Sequence, residues 1–280
     1  MIDHHHSPSP PPILPIEGRH VIHLFYSVEH ESWQYLEPGE RRKRRNDLAN
    51  LVREIRGLPD TQLVIFSTVS PKADLGFMLV TPDLQIADQC SKRLGEILGA
   101  GMLSPVYSCL SMSERSEYTT TEAEYVEELK IQGILPGSQE FGGKIAEFHS
   151  RMEKYMKYRV EPVLPAADEW PVFCFYPMSK RRNEGQNWYA LPFEDRKRLM
   201  AGHARIGRTY SGRVLQLITG STGLDDMEWG VTLFAKTTSE IKAIVYEMRF
   251  DEVSSHYAEF GQFFIGIRME PAELCNRLNL

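Results

Sequence analysis

One order of elements is written twice along this chain, and that repetition limits the fold more than any other feature. His20 to Val28 (HVIHLFYSV) alternates as a strand, and Glu40 to Arg56 places Leu48, Leu51, Val52 and Ile55 on one helical face. Leu63 to Val69 and Leu75 to Val80 read as strands around a turn at Ser70-Pro71, Leu84 to Ile97 as a helix and Val106 to Met112 as a strand. The second half runs through a strand at Val172 to Tyr176, a helix at Phe193 to Arg205 and strands at Val214 to Thr219 and Trp229 to Phe234. A helix at Thr238 to Met248 and a strand at Gly261 to Arg268 complete it. Both halves are β-α-β-β-α-β, the ferredoxin-like order. The expected fold is α+β: two tandem ferredoxin-like halves of the dimeric α+β barrel type.

Residue identities support a duplication. Trp33, Leu36 and Arg41 match Trp188, Leu191 and Arg196 at an offset of 155. Asp74-Leu75-Gly76-Phe77 matches Glu228-Trp229-Gly230-Val231 at 154, and Phe25-Tyr26 matches Phe175-Tyr176 at 150. The expected organisation is a Pro-rich disordered tail (1–17), an N-terminal half (18–118), a helical connector (119–168) and a C-terminal half (169–280). In the connector, Ser138 can cap a helix with a stripe of Phe141, Ile145, Phe148, Met152 and Tyr155, read as core.

Several functions lose support. The net charge of -6 argues against a general nucleic-acid binder, and the run Arg41 to Arg45 reads as a solvated helix surface. The longest uncharged stretch, Ile97 to Met112, is too polar to span a membrane, and the N-terminus does not read as a signal peptide. Cys90, Cys109, Cys174 and Cys275 lie far apart with no CxxC pair, which fits a reduced, cytoplasmic protein. His4, His5 and His6 could chelate a metal but are expected to be inert. No P-loop, GxGxxG, GxSxG or HExxH motif occurs, and the GSTG stretch from Gly220 to Gly223 is too short to hold phosphate.

The densest unusual stretch is Phe173 to Tyr210. His203 has Leu199 and Met200 before it and Ile206 and Gly207 after it at helical spacing, so it lies on the apolar face. A histidine there is either a core residue or a ligand; Gly202 and Gly207 would clear space for a flat group. Tyr176, Trp188 and Tyr189 are oxidisable, and Lys180, Arg181, Arg182 and Arg208 could receive carboxylates.

The run FCFYPMSKRRNEGQNWYALPFEDRKRLMAGHARIGRTYSGRVLQLITGS, with DDMEWGVTLFAK and YEMRFDEVSSHYAEFGQFFIG, resembles the coproheme decarboxylases of the chlorite dismutase-like superfamily. The likeness is specific from Arg159 to Arg268 and weaker from Gly18 to Tyr118. It implies haem in the C-terminal half and a homo-oligomer, usually a ring of five. It implies His203 as proximal iron ligand, Tyr176 as the catalytic radical and Lys180 as proton source beside the reactive propionate. Trp188 and Met178 would line the porphyrin site, Gln216 would stand above the iron, and Arg159, Arg208 and Ser254 would hold propionates. Where the family often has SYLS this chain has Ser108-Cys109-Leu110-Ser111, so a propionate-contacting tyrosine becomes Cys109, with Ser111 beside it and Tyr107 as a substitute on the same strand face.

The implied activity is peroxide-dependent oxidative decarboxylation of Fe-coproporphyrin III to haem b through a three-propionate intermediate, with hydrogen peroxide as oxidant and a coproporphyrin ferrochelatase as a partner. A chlorite-degrading haem enzyme and a non-enzymatic haem carrier or sensor are the alternatives. Gln216 speaks against the first, and the pair Tyr176 and Lys180 against the second.

Overall fold

The computed structural model describes residues 16–280. The three-histidine segment and most of the Pro-rich tail lie outside the described residues. The N-terminal half comprises β1 (Glu17–Val28), α1 (His30–Gln34), α2 (Pro38–Arg56), β2 (Gln62–Thr68), β3 (Leu75–Thr81), α3 (Leu84–Glu96) and β4 (Leu103–Glu114). The connector holds α4 (Glu122–Ile131) and α5 (Gln139–Val160). The C-terminal half follows as β5 (Val172–Lys180), a small hairpin of β6 (Arg182–Asn183) and β7 (Gln186–Asn187), and α6 (Phe193–Thr209). Then come β8 (Val214–Gly220), β9 (Trp229–Ala235), α7 (Thr238–Met248), α8 (Glu252–Tyr257), β10 (Ala258–Phe260), β11 (Phe264–Arg268) and α9 (Pro271–Arg277).

All long strands join one antiparallel sheet in the order β10-β5-β11-β2-β3-β1-β4-β8-β9, and β5 also pairs with β9. That last pairing closes the sheet on itself, so its principal edges are satisfied by protein rather than solvent. The halves are fused twice: β11 bonds to both β2 and β5, and β4 meets β8 at Met112–Gly220 and Ser113–Thr219. Inside the ring, Phe25, Phe66, Phe173, Phe175, Phe234 and Phe264 form a shared aromatic core. Outside it, α2 and α3 cover the first half, and α6 and α7 pack with the second half's outer face.

Three sequence expectations change. The strand expected over Gly261 to Arg268 is shortened to β11, which pairs with Val172 to Phe175, and a separate, unexpected strand, β10, precedes it and pairs with Met178 to Lys180. The break lies opposite Pro177, which has no N–H to donate to a partner strand. The connector stripe is not core within the chain, since only Phe148 on α5 is buried. The third change is register. Tyr26 pairs with Leu75 and Met178 with Trp229, so β1 and β5 correspond at 152 residues and the Phe-Tyr match at 150 is a two-residue slip. A slip of two keeps every side chain on its own face, so alternation cannot detect it.

The Arg41 to Arg45 run ties down α2. Arg41 donates to the carbonyls of Leu36 and Gln34, Arg44 to that of Leu98, and Arg45 to Leu280 and Asn276. All four cysteines are free and buried. No described helix is long and apolar enough to cross a membrane.

Candidate functional site

The two faces of β5 divide structure from chemistry. Phe173 and Phe175 point into the aromatic core, whereas Cys174 and Tyr176 join an outer cluster with Val231, Leu233 and Ile244. Tyr176, Met178 and Lys180 therefore share the outward face by strand alternation. Tyr176 is 6% exposed and stacks on Phe263 at 4.3 Å between ring centres. Burial drives its phenol well above the ordinary tyrosine range, so it is neutral at physiological pH.

Lys180 is 8% exposed. Its ammonium lies 4.6 Å from the centre of the Trp188 ring, a cation–π contact. Burial lowers its pKa to about 8, against the opposing pull of Asp251 and Glu228. The Lys180 amide donates to Glu228 Oε2 at 2.7 Å. Trp188, 1% exposed, packs with Leu199, Val253 and Tyr257.

His203 stands on α6, one turn after Leu199 and just before Ile206, which meets the Tyr176 cluster. Its Nδ1 lies 2.9 Å from Asp251 Oδ2, and its side chain is 28% exposed. Asp251 also caps α8, accepting the Val253 and Ser254 amides on Oδ1 and the Ser254 hydroxyl on Oδ2 at 2.8 Å. Burial alone would raise the Asp251 pKa, but its bonds to His203 and Ser254 outweigh that and hold it low. A carboxylate on one ring nitrogen orients the imidazole and raises the basicity of the other nitrogen, the usual arrangement behind a metal-ligating histidine. A hollow of about 300 Å³ opens here, lined by Leu199, Gly202, His203, Ile206 and Asp251 among others.

Gln216, on β8, donates to the Gly207 carbonyl at 3.2 Å, one turn along α6 from His203. A β-carbon on Gly207 would stand 3.3 Å from the Gln216 amide nitrogen and 3.2 Å from the Met248 methyl, whereas one on Gly202 would meet nothing within 4 Å. Gly202 is thus the glycine beside open space, and Gly207 permits the close approach of α6 to β8.

Among the described residues, no three His, Cys, Asp or Glu side chains converge to hold a bare metal ion. A lone oriented imidazole suits an iron whose equatorial nitrogens come from a porphyrin. The oriented imidazole, the Gly202 opening and the Arg198 and Arg205 cations that line the hollow suit a flat, carboxylate-bearing group, whereas Tyr176, Met178, Lys180 and Gln216 do not line it. Ser254 enters through Asp251. Arg159, at the end of α5, has a buried Nε without a hydrogen-bond partner, and its charge opposes the burial-driven rise of the Glu114 pKa. Arg208 is exposed and makes no side-chain hydrogen bond or ion pair among the described residues.

The Cys109 expectation is overturned. Cys109 is 1% exposed and lies, with Tyr107, in the aromatic core rather than on the Tyr176 face; burial pushes its thiol up to about 12. Ser111 is likewise inward, bonding Thr219 and the Val21 carbonyl. The sequence reading also missed Asp251, Glu228 and the Tyr158 hydroxyl, which donates to the Gln216 carbonyl at 2.7 Å. The only sequence signal for Asp251 was its capping position before a short helix.

Residues 41–269 match the family model described as chlorite dismutase. A Natronomonas pharaonis protein, provisionally named as heme-binding, is 36% identical over 262 residues, 92% of this chain. The alignment covers 40% of that relative, so the chain spans well under half of its length. The structure of a heme-binding protein from Thermus thermophilus is 36% identical, with TM-score 0.79, covering 96% of this chain and 98% of that one. A chlorite dismutase variant from Candidatus Nitrospira defluvii shares the fold at 19% identity, with TM-score 0.69 and coverage of 94% and 96%.

Proposed function

The chain belongs to the chlorite dismutase family, which includes haem enzymes, and on that premise we propose that it decarboxylates iron-coproporphyrin III oxidatively to haem b, using hydrogen peroxide. The observation that carries this reading is the pairing of Tyr176 and Lys180. A buried oxidisable phenol and a buried ammonium lie four residues apart on one strand face. A carrier or sensor of haem needs neither.

The iron porphyrin is both substrate and redox centre, and with peroxide it supplies the oxidising power. His203, oriented by Asp251, would hold the iron through its free ring nitrogen. Tyr176 gives up an electron and its phenolic proton, and the tyrosyl radical takes a hydrogen atom from a propionate β-carbon. A second one-electron oxidation releases CO₂ and leaves a vinyl group. For each propionate, two electrons and one carboxylate leave the substrate, one peroxide becomes two waters, and one proton is taken up. Lys180 supplies that proton near the reacting carboxylate. Arg159, Arg208 and Ser254 would hold propionates, Trp188 and Met178 would line the macrocycle, and Gln216 would offer its amide on the iron's side. The first turn yields a three-propionate intermediate, which reacts again at the second site.

The proposed assembly is a homo-oligomer, a ring of five; the α5 stripe, half-buried apart from Phe148, offers apolar surface to a neighbouring copy. A coproporphyrin ferrochelatase provides its substrate. Free, buried thiols fit a cytoplasmic setting.

The test combines purified protein, iron-coproporphyrin III and peroxide, with products followed by mass. Loss of two carboxyl groups is expected; intact substrate after peroxide is consumed overturns the proposal. Chlorite separates it from the dismutase reading. Gln216 is neutral and cannot provide the permanent positive charge of a guanidinium beside an oxychlorine anion. Negligible sustained dioxygen release is therefore expected, and many turnovers on an oxygen electrode would favour chlorite degradation.

A further inference from the structure

Glu228 is a carboxylate only 5% exposed, placed where β9 begins and outside the set of residues assigned to the reaction. Its Oε2 accepts the Lys180 amide at 2.7 Å, and its Oε1 accepts Arg182 Nη2 at 2.7 Å. The charge on Glu228 also helps to hold the Tyr189 phenol above the ordinary tyrosine range, after burial. Its own amide donates to the Met178 carbonyl at 3.1 Å and to the Ser179 hydroxyl at 3.2 Å. One side chain thus ties the end of β5 to the β6–β7 hairpin.

The N-terminal half contains a reduced version of this device. Asp74 accepts the Val28 amide at 2.8 Å and donates its own amide to the Tyr26 carbonyl at 2.9 Å. Closing the strand end therefore requires only the shorter carboxylate. The additional methylene of Glu228 extends the same anchor to Arg182, and Lys180 replaces Val28.

We propose that Glu228 is the positioning residue for Lys180, fixing the strand end from which its ammonium projects and keeping a compensating negative charge beside it. This rests on the proposed role of Lys180, but the geometry stands without it. The other groups facing Lys180 are Asp251 before α8, the Trp188 ring, and Arg182, which shares Glu228.

The test is an NMR titration of lysine labelled at its ε-carbon in the full chain without porphyrin, with the Lys180 signal assigned by its loss in Lys180→Met. Glu228→Gln retains shape and an acceptor but removes the charge. The Lys180 midpoint is expected to fall by about one pH unit, the low end of the effect of a nearby opposite charge. Glu228→Asp, which installs the shorter carboxylate that Asp74 provides in the first half, should restore most of the midpoint. Unchanged backbone amide spectra distant from the site separate this effect from unfolding. An unmoved midpoint in Glu228→Gln, or an Asp variant that behaves like Gln, overturns the proposal. A midpoint that moves as expected in a protein that leaves iron-coproporphyrin III intact would instead defeat the decarboxylase reading and retain the role of Glu228.

Discussion

The two halves share a scaffold but fill the same positions with different chemistry. Arg41 Nε donates to the Leu36 carbonyl at 2.9 Å, and Arg196 Nη1 donates to the Leu191 carbonyl at 2.8 Å, so α2 and α6 begin from the same turn. At the resulting offset of 155, His203 corresponds to Leu48, Ile206 to Leu51 and Gly207 to Val52. Strand register equates Tyr176 with Leu24 and Gln216 with Leu63. Leu24, Leu48 and Leu63 belong to one buried cluster, completed by Leu274 and Cys275 from α9. The first half is sealed with leucine and the chain's last helix. The second carries phenol, imidazole and amide at the same places, and a hollow opens at the imidazole. The comparison teaches that the ferredoxin-like unit needs none of the site residues to fold. Their polarity is a cost accepted by one copy while the other supplies ordinary core stability.

Exchanging residues between the halves tests this directly. The largest effect is expected at Tyr176. Tyr176→Phe keeps the ring and its stacking on Phe263 but removes the phenol, so porphyrin still binds while decarboxylation falls to background. Turnover near the original rate would remove Tyr176 from the mechanism.

Lys180→Met comes next, with an expected loss of about a hundredfold in one or both decarboxylations, as for removal of a positioned proton donor. Lys180 donates only when charged, and its pKa is lowered to about 8. Activity should therefore decline as pH rises through about 8, and the methionine variant should lack that limb. An identical alkaline limb in both proteins would assign it to another group.

The reciprocal helix exchange reads stability. Leu48→His places an unpartnered imidazole at a position 1% exposed and should cost about 3 kcal/mol in denaturant unfolding. His203→Leu, at a half-buried position, should cost less, about 1 to 2 kcal/mol for the imidazole partner lost to Asp251, while altering the Soret band of the ferric complex. Equal costs would show that the two positions are not the sealed and open versions of one cleft.

The smallest effect is expected at Gly202. Its missing β-carbon faces open space within α6, so Gly202→Ala should stabilise the protein by about 0.5 to 1 kcal/mol through reduced backbone freedom. A loss of stability would mean that the hollow is filled by protein.

The duplication, the order of the main elements and most of their cores are legible in the residues alone, because these follow from periodicities set by local backbone geometry. Tyr176, Met178 and Lys180 fall on one face by the two-residue repeat of a strand, and His203 joins Leu199 and Ile206 by the helical repeat. Which remote groups meet them is set by how the chain packs. Asp251 reaches His203, and Glu228 reaches Lys180, each across 48 residues, a separation that leaves no periodic trace. Packing also decides that Cys109 turns into the aromatic core and that α9 returns to the first half. The two-residue correction between β1 and β5 has the same origin: alternation specifies a face, whereas hydrogen bonds to neighbouring strands specify the position along it.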